Sequence, residues 1–226
     1  MAVELDGPRI EPKGGAARQL VVFLHGYGAD GNDLIEIGRA WQQLLPQAAF
    51  VSPHAPEVCG QGGGGKQWFN LTFRDPDERW TGVNAAGPGL EKFLDAELTR
   101  RQLPASALAL VGFSQGTMMA LHIGLRRAAA PAAIVGYSGM LVLPKDVDPD
   151  KFPLEIRSRP PVLLIHGEQD DLIPAPALFH AAQALAALEV PVEWHLSPGI
   201  GHGIDQEGLR QGGEFIARRL SADVRR

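Results

Sequence analysis

The stretch that decides the fold is LALVGFSQGTMMALHIGL, residues 108–125. An apolar run ends in GFSQG, and the residues after it have the spacing of a buried helix. A serine therefore stands between two glycines where a strand turns into a helix. A turn this tight forces the middle residue into a strained backbone conformation, and the glycines remove Cβ atoms that would collide. We expect the hydroxyl of Ser114 to stand free above the end of a strand.

Short apolar runs alternate with helical patterns along the rest of the chain. The predicted strands are 19–24, 48–52, 108–113, 132–138, 161–166 and 191–196, and the predicted helices are 32–45, 88–103, 115–129, 175–188 and 206–220. Most of the runs are apolar throughout, which is typical of strands covered on both faces. We predict one α/β domain over residues 1–226, with a mainly parallel central sheet and helices on both faces. The Pro- and Gly-rich stretches 53–87 and 139–160 are expected to be irregular.

Composition narrows the classes of function. The 226 residues carry a formal net charge of −5, which argues against a nucleic-acid binder. The acidic start, with Glu4 and Asp6, does not resemble a secretory signal, and no apolar run is long enough to span a membrane. Cys59 is the single cysteine, so no intrachain disulfide forms and we expect a cytoplasmic protein. Neither an H-E-x-x-H motif nor a cysteine pair indicates a metal site, and we expect no cofactor.

A serine becomes a nucleophile only beside a base, and in this arrangement an acid and then a histidine follow it in the chain. The predicted strand 161–166 is followed by GEQDDLIP, which offers Glu168, Asp170 and Asp171 as acids. His202 lies between two glycines in the loop after the predicted strand 191–196. Among the other histidines, His166 and His195 are predicted to be buried structural residues, His122 to be packed or partly exposed, His180 to lie on the surface and His54 to line a rim. His25 is expected to brace a loop under the site.

Two further glycine-rich stretches compete for a role. GYGADG, Gly26–Gly31, fits the dinucleotide-binding pattern G-x-G-x-x-G, which keeps a nucleotide-dependent oxidoreductase as an alternative. No acidic residue follows the next strand to hold a ribose, however, and the same loop suits an oxyanion hole with the backbone N–H groups of Tyr27 and Gln115 as donors. GQGGGGKQ, Gly60–Gln67, lacks the Ser or Thr of a phosphate loop, and we interpret it as a loop at the rim of the site.

Seven stretches in order along the chain carry a resemblance to a known family: FLHGYGADGNDL, SPHAP, QWFNL, GFSQGTMMAL, YSGML, HGEQDDLIP and GIGHGI. Together they resemble the phospholipase/carboxylesterase family of α/β-hydrolases, which includes the acyl-protein thioesterases. The resemblance implies Ser114 as nucleophile, Asp170 as acid and His202 as base. Asp171 stands where related eukaryotic thioesterases have proline, which leaves Asp171 and Glu168 as alternative acids.

The resemblance also implies the activity. We expect a serine carboxylesterase without a large lid domain, acting on short- to medium-chain esters, with a protein thioester or a lysophospholipid as alternative substrates. A homodimer is compatible with the family. The apolar side chains of the two irregular stretches are predicted to form an acyl groove: Trp68, Phe69, Leu71, Met140 and Leu141.

Overall fold

Seven strands form one central sheet in the computed structural model, which describes residues 4–60, 64–72, 75, 77–146 and 155–222. The strands of the described residues are β1 (Arg9–Ile10), β2 (Gln19–Leu24), β3 (Ala48–Val51), β4 (Glu57–Val58), β5 (Lys66–Gln67), β6 (Leu108–Phe113), β7 (Ala133–Tyr137), β8 (Val162–Gly167) and β9 (Val192–Ser197). The sheet has the order β1-β3-β2-β6-β7-β8-β9. Every neighbouring pair is parallel except β1 with β3, and β4 and β5 form a separate antiparallel hairpin.

Helices cover both faces of the sheet. They are α1 (Gly31–Trp41), α2 (Glu78–Arg101), α3 (Gln115–Arg126), α4 (Pro176–Ala187) and α5 (Gln206–Ala222). Alternate residues of β2 face opposite sides, as strand geometry requires. Leu20, Val22 and Leu24 pack into a core shared with α2, α3 and α4, whereas Val21 and Phe23 pack into a core shared with α1 and α5. The fully buried central strands are apolar because both of their faces are covered.

The prediction of an α/β fold with a mainly parallel sheet is confirmed, and each of the six predicted strands matches an observed strand within one residue at either end. The last strand, β9, lies at the edge of the sheet and is partly exposed, in keeping with the polar residues in its sequence. One prediction was wrong in part. The stretch 53–87 is not irregular throughout, because it contains β4, β5 and the first ten residues of α2.

The missed part of α2 and its boundary with the predicted part contain helix-weakening residues. Gly82, Gly87 and Pro88 lie inside the helix, and Gly and Pro are the poorest helix formers. Packing explains the glycines, since a Cβ atom at Gly82 would lie 2.3 Å from the Phe69 ring and one at Gly87 would lie 3.1 Å from Ile123. Helix α2 is therefore held by its tertiary contacts rather than by local propensity.

The parallel arrangement brings the carboxyl ends of β2, β6, β8 and β9 to one edge of the sheet, where ligands bind in open α/β folds. Residues 61–63 of the glycine-rich rim loop lie outside the described residues, as do residues 147–154 of the second irregular stretch. In the part of the chain that the structure describes, no helix is both long enough and apolar enough to cross a bilayer.

Candidate active site

Ser114 lies at the turn between β6 and α3 with φ +53° and ψ −113°, a conformation that L-residues rarely adopt. The two flanking glycines make this turn possible. A Cβ atom at Gly112 would lie 2.4 Å from the carbonyl oxygen of Gly116, and one at Gly116 would lie 1.7 Å from the carbonyl oxygen of Leu24. Both contacts are shorter than any real Cβ contact, so only glycine fits at either position. The strained turn therefore exists because the surrounding backbone closes tightly around it.

The first turn of α3 begins directly after the serine. Thr117 and Met118 donate their amides to the Ser114 carbonyl oxygen at 3.0 and 3.3 Å. Among the hydrogen bonds of the described residues, the Gln115 amide has no acceptor. A helix N-terminus carries such unpaired donors and a partial positive charge. This end of α3 is suited to stabilise a negative charge that forms beside Ser114.

The carboxylate of Asp170 is buried in the loop after β8 and accepts hydrogen bonds on both oxygens. Oδ1 accepts from the amides of Leu172 and Ile173 at 3.0 and 2.9 Å. Oδ2 lies 2.8 Å from His202 Nδ1 and 3.2 Å from His166 Nε2. A buried carboxylate without partners would be costly, and these contacts fix the orientation of the group.

His202 lies in the loop between β9 and α5, and this loop is pinned on two sides. Ser197, the last residue of β9, donates its hydroxyl to Asp205 at 2.9 Å, which closes the loop at its base. Ser138, at the end of β7, donates its hydroxyl to the Gly203 carbonyl oxygen at 3.2 Å. The imidazole of His202 stands 5.0 Å, centroid to centroid, from the ring of Phe113, the residue before Ser114.

The structure thus brings Asp170 and His202 into direct contact and places His202 beside the serine turn. Because the carboxylate only accepts, Nδ1 of His202 is the donor in that contact, and Nε2 is left as an acceptor. Among the hydrogen bonds of the described residues, none joins Ser114 Oγ to His202. In structures without a bound ligand such a contact is often long and tightens only in the complex.

The two alternative acids lie elsewhere. Asp171 and Glu168 are both exposed, and Glu168 Oε2 accepts from the Gly199 amide at 3.0 Å. Neither has a hydrogen bond to His202 among the described contacts, so the geometry favours Asp170 over both.

The loop between β2 and α1 approaches the serine through Gly26, where a Cβ atom would lie 3.3 Å from Ser114 Cβ. The Tyr27 amide that follows has no acceptor among the described hydrogen bonds. The next amide, that of Gly28, donates to the Lys66 carbonyl oxygen at 2.9 Å, and Gly65 packs directly on the Gly28 carbonyl group. The β4–β5 hairpin therefore covers the glycine loop and takes up a backbone N–H group that a bound pyrophosphate would need. This argues against the dinucleotide-binding alternative.

The five residues predicted to line an acyl groove fall into two groups. Trp68, Phe69 and Leu71 are buried within the core that contains α2 and α3. Met140 and Leu141 are partly exposed at the edge of the same core. Of these five residues, only Met140 and Leu141 contribute exposed apolar surface. A groove formed by all five residues stays a prediction.

The sequence indicated a buried structural role for His166 but not its contact with the acid. Its Nε2 lies 2.7 Å from the Ile173 carbonyl oxygen, which closes the loop that carries Asp170. The one available clue was its position at the end of a strand, four residues before Asp170. In the part of the chain that the structure describes, no three His, Cys, Asp or Glu side chains gather as a metal site would require.

Comparison with known proteins identifies the family. The phospholipase/carboxylesterase family profile matches residues 5–220. Among similar solved structures, esterase PE8 is 42% identical with a TM-score of 0.90, over 96% of this chain and 100% of that one. Acyl-protein thioesterase 1 of Gibberella zeae is 27% identical over 94% of this chain and 95% of its own length. Esterase YpfH of Escherichia coli is 27% identical over 86% of this chain and 80% of its own length. The chain belongs to the phospholipase/carboxylesterase family and is a serine hydrolase of the α/β-hydrolase fold.

Proposed function

We propose that the protein is a carboxylesterase that hydrolyses short- to medium-chain esters through an acyl-enzyme on Ser114. The observation that carries this proposal is the 2.8 Å contact between His202 Nδ1 and the buried Asp170 carboxylate, beside a serine in a strained turn. This combination of nucleophile, base and orienting acid is the arrangement that activates a hydroxyl group.

In the first half of the reaction, His202 Nε2 accepts the proton of Ser114 as Oγ attacks the ester carbonyl carbon. The carbonyl oxygen becomes an oxyanion that accepts hydrogen bonds from the Tyr27 and Gln115 amides. The imidazolium is stabilised by Asp170 and gives its proton to the departing alcohol. The carbon–oxygen bond to the alcohol then breaks, and the acyl group stays on Ser114.

In the second half, a water molecule gives a proton to His202 and attacks the acyl-enzyme. The same two amides stabilise the second oxyanion, and His202 returns the proton to Ser114 Oγ as the carboxylic acid leaves. This cycle consumes one ester and one water and requires no cofactor.

The preference for modest acyl groups is what the resemblance to the family implies, and little of the predicted acyl groove is exposed. Met140 and Leu141 are only partly exposed, and Trp68, Phe69 and Leu71 are closed inside the core. A thioesterase activity is the second candidate, because the similarity to acyl-protein thioesterase 1 extends over 94% of the chain and thioesters react through the same groups. Lysophospholipids make a third class of substrate for the same groups.

The decisive experiment compares labelling by a fluorophosphonate probe in the wild type, Ser114→Ala and the exposed control Ser106→Ala. We expect labelling of the wild type and Ser106→Ala and none of Ser114→Ala, and equal labelling of all three would refute the assignment. A series of p-nitrophenyl esters of increasing acyl length, beside an acyl-thioester and a lysophospholipid, then ranks the substrate classes. A higher kcat/KM for the thioester than for every ester would replace the esterase proposal with the thioesterase.

We also propose a cytoplasmic location, supported by the single cysteine, Cys59, which is free and buried. Fractionation of cells with antibody detection tests it, and recovery from an extracellular fraction would contradict it. The homodimer stays a prediction that light scattering of the purified protein can check.

A further inference from the structure

Gly26 precedes Tyr27, whose backbone N–H group is a proposed oxyanion donor, and a flexible glycine does not by itself fix the direction of that group. A Cβ atom there would lie 3.1 Å from Phe113 Cδ1 and 3.3 Å from Ser114 Cβ, so a side chain at this position would be tightly packed and glycine allows the close approach of the loop. Glycine is also the residue with the greatest backbone freedom. The direction of the Tyr27 N–H group must therefore be set by contacts outside Gly26.

The first such contact acts on the peptide group between Gly26 and Tyr27. The Gly26 carbonyl oxygen lies 2.8 Å from His25 Nδ1, and His25 Nε2 accepts from the Ala55 amide at 3.0 Å. The second bond assigns the proton to Nδ1, which donates to Gly26. Burial lowers the pKa of His25, which keeps the imidazole neutral in this role. In a planar trans peptide the C=O and N–H groups point in opposite directions, so the held carbonyl group fixes the Tyr27 N–H.

The second contact acts on the peptide group on the other side of Gly26. Trp68 donates its indole N–H to the His25 carbonyl oxygen at 2.9 Å, and the two rings lie 5.7 Å apart. Only 1% of the surface of Trp68 is exposed. Both peptide groups that flank the flexible glycine are thus held by buried side chains.

Trp68 is also tied to the second proposed donor. Its own amide donates to Gln115 Oε1 at 2.8 Å, and Gln115 Nε2 donates to the Phe69 carbonyl oxygen at 2.8 Å. Gln115 is the residue whose backbone N–H is the other proposed oxyanion donor. The segment 68–69 therefore links the residues of the two donors through three buried hydrogen bonds, so hydrogen bonds as well as packing hold the two loops together.

We propose that Trp68 is a positioning residue that sets the geometry of the oxyanion hole through its indole N–H group, and that it is not a wall of the acyl groove. This role rests on the proposed function, because an oxyanion hole matters only if Ser114 attacks a carbonyl group. The oxyanion forms in the transition state, so loss of this positioning lowers kcat and leaves KM nearly unchanged.

The chain offers a matched control for a test. Trp41 is also buried and donates its indole N–H to a carbonyl oxygen, that of Leu209, at 3.1 Å, but it lies in the core on the other face of the sheet. Trp68→Phe and Trp41→Phe each remove one such bond and shrink one ring. We expect kcat on a p-nitrophenyl ester to fall at least ~10-fold in Trp68→Phe, with KM within about 2-fold of the wild type. Trp41→Phe should stay within about 3-fold in kcat.

A second measurement separates transition-state from ground-state effects. A trifluoromethyl ketone adds to the serine as a hemiketal whose oxyanion occupies the hole. Its inhibition constant should rise in Trp68→Phe by the same factor as kcat/KM falls. An equal loss of kcat in the two variants, or a raised KM with unchanged kcat in Trp68→Phe, would overturn the role of Trp68.

If Trp68→Phe does not fold, benzothienylalanine at position 68 makes the same comparison. It replaces the indole N–H by sulfur and keeps the shape of the ring, and the same analogue at position 41 is its control. Ester turnover by Ser114→Ala would overturn the proposed function itself. An inactive Ser114→Ala together with equal kcat values in the two tryptophan variants would overturn only the inference on Trp68.

Discussion

His202 donates from Nδ1 to Oδ2 of Asp170 across 2.8 Å, and the other carboxylate oxygen is held by two backbone amides. The acid therefore fixes both the orientation of the imidazole and the nitrogen that carries the proton. This relationship joins the loops after the last two strands of the sheet, and it is the basis of the first prediction.

Asp170→Asn should lower kcat by roughly 10³–10⁴-fold, because an amide at this position can donate to His202 and favour the wrong tautomer. Asp171→Asn, a change of the same kind at the exposed neighbour, should leave kcat within about 2-fold of the wild type. Steady-state kinetics on a p-nitrophenyl ester measures both. A larger loss in Asp171→Asn than in Asp170→Asn would move the acid to position 171.

In a helix or strand, alanine usually gives a more stable protein than glycine. At position 114 we expect the opposite. Ser114 has φ +53°, where alanine is strained and glycine is not. We expect Ser114→Gly to be more stable than Ser114→Ala by ~1 kcal/mol, although both are inactive. Urea denaturation followed by tryptophan fluorescence gives the two midpoints. A higher midpoint for Ser114→Ala would show that the turn relaxes and stores no strain.

A buried carboxylate holds the N-terminal segment to α2. Glu97 is 1% exposed and pairs with Arg9, Arg100 and Arg101. Glu97→Gln removes the buried anion that the three arginines share, although Arg9 keeps Asp6 and Arg101 keeps Glu11. We expect it to destabilise the protein by about 1–3 kcal/mol, with kcat of the folded fraction unchanged. The exposed pair Glu36–Arg39 supplies the control, since Glu36→Gln should change stability by less than ~1 kcal/mol. Equal effects on the free energy of unfolding would contradict the prediction.

His122 should make the fold sensitive to mild acid. Burial, reinforced by the charge of Arg126, lowers the pKa of His122 from 6.5 to about 3. Between pH 6.5 and about pH 3, His122 is protonated in the unfolded chain but neutral in the folded chain. The free energy of unfolding therefore decreases as the pH falls through this window. The loss approaches ~1.4 kcal/mol per pH unit.

The test compares the free energy of unfolding at pH 7 and pH 5. The decrease should be ~1–2 kcal/mol smaller in His122→Gln than in the wild type. His180→Gln, at an exposed position on α4, should show the wild-type decrease. The same decrease in all three proteins would mean that His122 takes up its proton in the folded state.

Much of the site could be predicted from the sequence because it depends on local patterns. The turn at Ser114 needs glycines at fixed spacing, and the glycine-flanked His202 follows the last strand. The edge of the sheet where they meet follows from the parallel order of strands. The prediction of one domain over residues 1–226 stays a prediction.

The parts that the sequence did not reveal depend on contacts between distant residues. Trp68 and His25 are separated by 43 positions, and nothing in QWFNL indicates an indole that donates to the oxyanion loop. The start of α2 was missed because glycine is a poor helix former, and the packing of the Phe69 ring against Gly82 cannot be seen in the sequence. The two-residue strands β1, β4 and β5 are too short to leave a periodic pattern.

The order of the strands has a consequence for protein synthesis. A ribosome builds the chain from its N-terminus, so the serine turn after β6 emerges well before β9 and the loop that carries His202. On the proposed mechanism, a nascent chain thus displays the Ser114 hydroxyl group before the proton acceptor, His202, has been synthesised. The serine becomes reactive only after β9 has joined the sheet and has brought the His202 loop into place. Until then, its hydroxyl group does not react with esters.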